Sequence, residues 1–367
     1  MIPRARHMVA AALSSALLML PAFTGVASAE RDSQVFAVAL AKTSVDVKRV
    51  ADYWTPEQLK KADSYSPATP GAAATPAPSS TPAASAPATQ ATSPVTRAIA
   101  AQPVAPALPR KRSAATTMGK VFFRFGDKEY WCSASAIAAK NHSVVATAGH
   151  CAYDPRQAKA AEFWIFVPNP GPNGETPDGI YVGSSISMHE DWSGKGDYDF
   201  DYAFVTVHRG FKWVAKDGGG YVMQDVGRLQ DNVGGQGIEL NKKPGTYSAV
   251  AFGYPAGAQP DGSTPFNGKK LEMCGAGPTR WTSAVSIDLQ KGVQLLSCDF
   301  SPGASGGPWL IGYNGDRGLG SLNGINSLTW NRDAKGWYDA VSCPYFDTTT
   351  GEVYRRAAAL TTPSKVT

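Results

Sequence analysis

Three short stretches of this sequence decide the fold: TAGHC at residues 147–151, DFDYA at residues 199–203 and GASGGP at residues 303–308. They place a histidine, an aspartate and a serine in that order along the chain. A serine hydroxyl is a poor nucleophile at neutral pH, so it needs an imidazole to accept its proton and a carboxylate to orient that imidazole. The three stretches therefore predict a nucleophilic hydrolase.

The serine stretch also satisfies the G-x-S-x-G pattern of α/β-hydrolases, which would indicate an esterase or lipase. In that fold the catalytic histidine follows the serine along the chain. The last histidine of this sequence is His208, about a hundred residues before Ser305. The order of the residues therefore excludes this alternative.

The N-terminus has the composition of a secretory signal. Arg4 and Arg6 precede an apolar run over residues 9–20, and small residues at 27–29 form a cleavage site. No later run is long and apolar enough for a transmembrane helix. We expect residues 1–29 to be a signal peptide and the protein to be secreted and extracellular, without stable membrane association after cleavage.

Residues 66–112 are dominated by Pro, Ala, Ser and Thr, which predicts a disordered linker. Before it, residues 30–65 read as a small pro-segment, helical around Pro56. The net charge of +5 is spread along the chain and does not favour nucleic acid. The basic cluster at 109–112 is either a solvated linker end or a processing site.

Short β-rich runs separated by turn residues recur after the linker, which is typical of an antiparallel sandwich or barrel. The predicted strands of the first half are 121–125, 131–137, 143–147, 163–167, 181–187 and 202–208. Those of the second half are 246–253, 284–289, 293–298, 308–312 and 319–325. Periodicity alone does not choose between the two architectures.

The histidine, aspartate and serine stretches, by order and spacing, resemble the chymotrypsin/trypsin-like serine peptidases over roughly residues 114–350. Within that family the chain is most similar to secreted trypsin-like serine peptidases of actinobacteria. The resemblance implies an all-β fold of two packed antiparallel six-stranded β-barrels, preceded by the disordered linker. The peptidase domain would span 113–360, with barrel one at about 114–235 and barrel two at about 236–350.

All five cysteines follow the predicted signal peptide, so disulfides are expected and one cysteine is left over. The resemblance implies two pairs, Cys132–Cys151 and Cys274–Cys298, which leaves Cys343. A zinc site made of Cys132, His150 and Cys151 is the alternative, but the paired short spacings of such sites are missing.

The same resemblance assigns the catalytic roles. His150 would be the general base and Ser305 the nucleophile, with the N–H groups of Gly303 and Ser305 forming the oxyanion hole. Three aspartates alternate before a strand, and Asp201 is preferred over Asp199 as the orienting carboxylate because an apolar strand follows it directly. Asp197 and Asp199 would then be turn residues.

Residue 304 departs from the digestive members of the family, in which an aspartate at this position pairs with a newly cleaved N-terminus. Ala304 cannot form that ion pair, so the sequence predicts a catalytic domain that is competent without a defined new N-terminus.

Substrate contacts are implied for four consecutive residues, Asn326, Ser327, Leu328 and Thr329, which resemble the strand that pairs with extended peptides. Ser327 would also support Asp201. Glutamate-specific relatives carry a histidine where this chain has Asn326. Asp299 lies where trypsin-like members keep the aspartate that attracts Lys or Arg, although the neighbouring cysteine differs, so a preference for basic residues stays open.

The predicted function is therefore that of a secreted serine endopeptidase that hydrolyses peptide or protein substrates through an acyl-enzyme. The alternative is a catalytically inactive peptidase-like binding protein. The chemistry requires no metal and no other cofactor, and we expect a monomer.

Overall fold

The computed structural model describes residues 34–67, 114–333 and 335–361. The N-terminal segment, residues 34–67, begins with a strand and two short helices. The segment contains β1 (Val35–Ala39), α1 (Ser44–Tyr53), α2 (Pro56–Lys61) and β2 (Asp63–Ser64). Thr43 and Asp46 form a capping box at the start of α1, and Pro56 occupies the first turn of α2, where its missing N–H costs nothing. The predicted signal peptide and residues 68–112 of the predicted linker lie outside the described residues.

The first barrel is closed by hydrogen-bonded pairs all the way round. Along the chain the strands of this half are β3 (Met118–Phe125), β4 (Lys128–Ile137), β5 (Val144–Thr147), β6 (Tyr153–Asp154), β7 (Lys159–Ala160), β8 (Glu162–Pro168), β9 (Tyr181–His189), β10 (Ala203–Val207), β11 (Gly210–Ala215) and β12 (Tyr221–Gly227). The barrel itself has the spatial order β9, β10, β5, β4, β3 and β8, and β8 pairs back with β9. Closure leaves the barrel without free edges.

The second half consists of two sheets whose apolar side chains share one buried cluster. Their strands are β13 (Gly237–Ile238), β14 (Ser248–Gly253), β15 (Glu272–Pro278), β16 (Arg280–Ala284), β17 (Leu289–Leu296), β18 (Pro308–Asn314), β19 (Leu319–Ile325), β20 (Leu328–Trp330) and β21 (Ala340–Pro344). One sheet has the order β13-β19-β18-β14-β15 and the other β16-β17-β21-β20. The prediction of an all-β, chymotrypsin-like double-barrel architecture is confirmed.

Four helices belong to the part of the chain after the linker: α3 (Ala114–Thr117), α4 (Glu190–Lys195), α5 (Leu229–Val233) and α6 (Thr348–Ala359). Helix α6 returns to the first barrel, where Thr206 Oγ1 donates to the Ala357 carbonyl at 2.9 Å and Tyr354 Oη donates to the Ala138 carbonyl at 2.7 Å. None of the described helices has the length and apolar content needed to cross a bilayer.

One predicted strand is wrong. Residues 284–289 straddle the turn of a hairpin, because Ala284 at the end of β16 pairs with Leu289 at the start of β17. The residues between them form a 3₁₀ turn, Val285–Ile287, followed by Asp288 in the left-handed conformation with φ +52°. An apolar run of Val and Ile resembles a strand in sequence even where the chain reverses.

Candidate active site

His150 lies in a 3₁₀ turn, Gly149–Cys151, directly after β5. The turn is fixed to β4 by the disulfide between Cys151 and Cys132, whose Cα atoms are 6.2 Å apart. Gly149 packs so closely on Trp192 that an added Cβ would lie 2.8 Å from the indole nitrogen. The His150 side chain is 2% exposed. The sequence therefore builds a rigid, buried position for this imidazole.

Asp201 follows the 3₁₀ turn Tyr198–Phe200 and directly precedes β10, which pairs with β5. Its carboxylate accepts three hydrogen bonds: 2.8 Å from the His150 backbone N–H, 2.8 Å to His150 Nδ1 and 2.5 Å from the Ser327 hydroxyl. The carboxylate is fully buried. A carboxylate bonded in this way holds the imidazole with Nε2 free to accept a proton.

The two neighbouring aspartates have other partners. Asp199 Oδ1 accepts hydrogen bonds from the backbone N–H groups of Gln290 and Lys291, at 2.9 Å and 2.6 Å. Asp197 accepts a bond from the Asp199 N–H and so caps the 3₁₀ turn. Of the three alternating aspartates, the structure brings Asp201 to His150.

The serine loop is attached to the first barrel through Ser133 on β4. The Ser133 N–H donates to the Ser305 carbonyl at 2.8 Å, and the Ser133 hydroxyl donates to the Gly303 carbonyl at 2.8 Å. The same hydroxyl accepts the Tyr254 N–H. Because Cys132 is the adjacent residue, one short stretch of β4 holds both the histidine turn and the serine loop.

Gly303 has a conformation that only glycine adopts easily, with φ +98°. A Cβ there would lie 2.6 Å from the Trp131 ring and 2.8 Å from the Tyr254 carbonyl oxygen. Within the described residues, the N–H groups of Gly303 and Ser305 donate to no acceptor. Two unpaired donors of one tight loop form an arrangement suited to an oxyanion.

His150 Nε2 is buried and has no hydrogen-bond partner among the described residues. No bond joins it to the Ser305 hydroxyl, which is partly exposed. Hydrogen bonds between base and nucleophile are often long before substrate binds.

A cavity of about 260 Å³ opens beside Ser305, lined by Ser301, Pro302 and Ala304 on one wall and by residues 326–330 on another. No described residue that lines it carries a charged side chain. Strand β20, which contains Leu328 and Thr329, is the edge strand of its sheet. A free edge at this place can pair with an extended peptide.

Asn326 and Asp299, which the resemblance implies for substrate binding, have different surroundings. Asn326 belongs to the wall of the cavity, although its side chain bonds groups of the protein itself. The Asn326 side chain is fully engaged, donating to the carbonyls of Phe252 and Ala304 at 2.9 Å each and accepting the Trp309 indole N–H at 2.7 Å. Asp299 is not among the residues that line the cavity. It follows Cys298, whose disulfide to Cys274 fixes it near β15.

The sulfur atoms of Cys132 and Cys151 and a ring nitrogen of His150 lie within 4.8 Å of one another. Both sulfurs belong to a disulfide, so neither is a thiolate that could ligate zinc. Cys274 and Cys298 form the second disulfide, and Cys343 is buried and unpaired, as the resemblance implies. Burial raises the pKa of the Cys343 thiol.

Sequence reasoning missed two aromatic residues at the site. Tyr65, in the N-terminal segment, is buried with its ring centroid 6.0 Å from that of His150. Trp131 on β4 packs against Gly303. No local pattern marks Tyr65, because its neighbours in space lie far along the chain.

No model of a protein family and no curated protein matches this chain. Solved structures do match. The protease Anisep from Arthrobacter nicotinovorans is 28% identical with a TM-score of 0.53, over 68% of this chain and 99% of that protein. The thermostable serine protease AL20 from an extremophilic microorganism is 29% identical with a TM-score of 0.53, over 66% of this chain and 97% of that protein.

Fold and similarity together define the class: the chain has the chymotrypsin/trypsin-like serine peptidase fold. The two solved structures named above, which share that fold, are those of a protease and of a serine protease.

Proposed function

We propose that this protein is a secreted serine endopeptidase that cleaves peptide bonds through an acyl-enzyme, with His150, Asp201 and Ser305 as its triad. The observation that carries the proposal is the Asp201 carboxylate, which bonds both N–H groups of His150 and the Ser327 hydroxyl. A buried imidazole oriented in this way is a general base, and the serine loop is attached beside it through Ser133.

In this mechanism His150 Nε2 accepts the proton of the Ser305 hydroxyl as the oxygen attacks the scissile carbonyl. Asp201 stays ionised and stabilises the imidazolium that forms. The N–H groups of Gly303 and Ser305 donate to the developing oxyanion. The imidazolium then protonates the leaving amine, and water attacks the acyl-enzyme by the same route in reverse.

Two features support peptides as the substrate class. Leu328 and Thr329 lie on the edge strand beside the cavity, where an extended chain can add as a further strand. The solved neighbours are proteases. Two disulfides support an oxidising, extracellular location.

The lining of the cavity favours an uncharged residue on the acyl side of the scissile bond, because burying a charge without a partner is costly. The basic preference that Asp299 would give has no support in this lining. Peptides that differ only at this residue test the point: we expect Leu or Tyr to be cut faster than Arg or Glu. Faster cleavage after Arg would contradict it.

The test of the function is labelling of the full chain with a fluorophosphonate probe, followed by mapping of the labelled peptide. We expect labelling at Ser305 that is lost in His150→Ala. The matched control is His142→Ala, because His142 is a partly exposed histidine paired with Asp231 away from the site. A folded protein whose Ser305 never reacts, both in this chain and in the variant Tyr65→Ala, which removes the ring beside His150, would favour the inactive binding protein.

A further inference from the structure

Residues 63–67, which we name the strap, lie across the site on which the proposed function rests. Strand β2 pairs with β4 in parallel, with Asp63 opposite Tyr130 and Ser64 opposite Trp131. The Tyr65 N–H donates to the Trp131 carbonyl at 3.0 Å. The strap therefore enters along the same strand that holds the histidine turn and the serine loop.

Beyond β2 the strap passes over the catalytic groups. Tyr65 is 9% exposed, and its ring packs between His150 and the aromatic residues Phe123 and Tyr130 of the first barrel. The next two residues, Ser66 and Pro67, line the cavity beside Ser305. From its N-terminal to its C-terminal end, the strap runs from Trp131 to the cavity.

A substrate must run the other way. The residue that carries the scissile carbonyl lies on the acyl side, where the cavity and the free N–H groups of the serine loop are found. The leaving amine then extends in the opposite direction, toward Trp131. Because the acyl side of a peptide bond is its N-terminal side, a substrate runs from the cavity to Trp131, antiparallel to the strap.

We propose that the strap is a built-in inhibitor that occupies the peptide-binding cleft in the reverse direction and is therefore not cut. In a chain that runs in reverse, each amide places its nitrogen where a substrate has its carbonyl carbon. At Ser305 the nitrogen of such a peptide bond would lie on the side of the cavity, away from His150. His150 could then not protonate the leaving amine. The strap blocks the site without being its substrate.

The strap is held mainly from outside the cleft. Strand β1 pairs with β9 over five residues, and the fully buried Trp54 donates its indole N–H to the Phe163 carbonyl at 2.6 Å. Within the described residues, Ser66 and Pro67 form no hydrogen bond with β20. A strap tethered to a firmly docked segment has a high effective concentration at the site and opens when the segment is released.

The experiment compares rates of fluorophosphonate labelling at Ser305 in the full chain and three variants. Tyr65→Ala removes the ring over His150, and we expect labelling about tenfold faster or more, because the strap then covers the site for a smaller fraction of the time. Tyr65→Phe keeps the ring and should label at the wild-type rate. Val45→Ala, on the exposed face of α1, is the matched control and should also leave the rate unchanged.

Failure of this inference and failure of the proposed function give different results. Suppose that the wild type and Tyr65→Ala are both shown by circular dichroism to be folded and are labelled at the same rate. The site would then be open in the full chain, and the proposal that the strap inhibits it would be wrong. No labelling in any variant, while the probe labels a commercial serine protease in parallel, would instead overturn the proposed function.

The direction of the strap has its own test. A synthetic peptide with the sequence of residues 60–70 is added to Tyr65→Ala and followed by mass spectrometry. We expect it to slow labelling and to remain intact, while a peptide with an uncharged residue before its scissile bond is cut. Cleavage within the DSYSP sequence that disappears in Ser305→Ala would show forward binding and overturn the reversed arrangement.

Discussion

The two barrels hold their parts of the site in different ways. The first barrel fixes His150 and Asp201 by side-chain hydrogen bonds and a disulfide, and both side chains are almost wholly buried. The second barrel presents Ser305 on a glycine-rich loop whose carbonyl groups are bonded by the Ser133 hydroxyl and the Asn326 amide, which leaves two backbone N–H groups unpaired in the described structure. The difference indicates that the first half offers side chains to the site, whereas the second offers the backbone of its loop together with Ser305.

The largest effect is expected in the first barrel. Asp201→Asn should keep the fold but favour the wrong tautomer of His150, which lowers kcat by about 10³ to 10⁴-fold. Peptide hydrolysis and unfolding in urea measure activity and stability separately. Asp199→Asn is the matched control, because Asp199 bonds the backbone of Gln290 and Lys291 and not the histidine. A comparable loss in the control would mean that the wrong aspartate has been chosen.

The corresponding change in the second barrel acts on the backbone. A Cβ at Gly303 would meet Trp131 and the Tyr254 carbonyl, so Gly303→Ala must move the loop and misplace its donors. Loss of one oxyanion donor typically lowers kcat by about 10² to 10³-fold. Gly315→Ala, where a Cβ meets nothing within 4 Å, is the control. An unchanged kcat in Gly303→Ala would show that this N–H does not contribute.

Ser327 joins the two halves, since it lies in the second barrel and donates to Asp201 of the first. A hydrogen bond to a charged group contributes about 1.5–3 kcal/mol, so Ser327→Ala should lower kcat by about ten- to a hundredfold. Because Asp201 keeps both bonds from His150, KM for a peptide should change little. A change confined to KM would assign Ser327 to substrate binding instead.

The smallest effect is on stability and concerns Lys120, whose ammonium lies 3.6 Å from the centre of the Trp131 ring. Burial lowers the pKa of Lys120 to about 7, below the value of about 10.4 in an unfolded chain. The folded protein therefore binds fewer protons between these values, and stability rises with pH through this window. The loss of folding free energy caused by burying the Lys120 charge reaches its full size below about pH 7.

Lys120→Met should consequently raise the free energy of unfolding at pH 6, and the gain should shrink toward pH 10. Urea unfolding at both pH values measures it. Lys128→Met, at an exposed position on β4, should show no such trend. A gain that is the same at both pH values would mean that the charge of Lys120 is not responsible.

Much of the fold follows from local signals. The six predicted strands of the first barrel correspond to β3, β4, β5, β8, β9 and β10, because each is a short apolar run bounded by turn residues. The helices around Pro56 follow from two N-cap threonines. Strand β15 (Glu272–Pro278) was not predicted, since its glycines and alanine give no alternating pattern.

The candidate site could be proposed from the sequence where its signals are local, and not where it depends on distant contacts. The TAGHC and GASGGP stretches point to His150 and Ser305, and the apolar strand after Asp201 favours it over Asp199. The contact between Asp201 and His150 itself is visible only in the structure. Asn326 lines the cavity, but the bond from its amide to Phe252, about seventy residues away in the chain, has no sequence signal. Pairing of the two-residue β2 with β4 has no sequence signal.

Strand β1 has a consequence for the order in which the molecule assembles. Its partner on β9 follows about 150 residues later, and Ser305 follows more than a hundred residues after that. The pairing of β1 with β9 needs no residue of the serine loop, so the N-terminal segment can dock before that loop is in place. With the strap proposed above, the cleft would then be covered before Ser305 reaches His150, and the protein would acquire its latency before its reactivity.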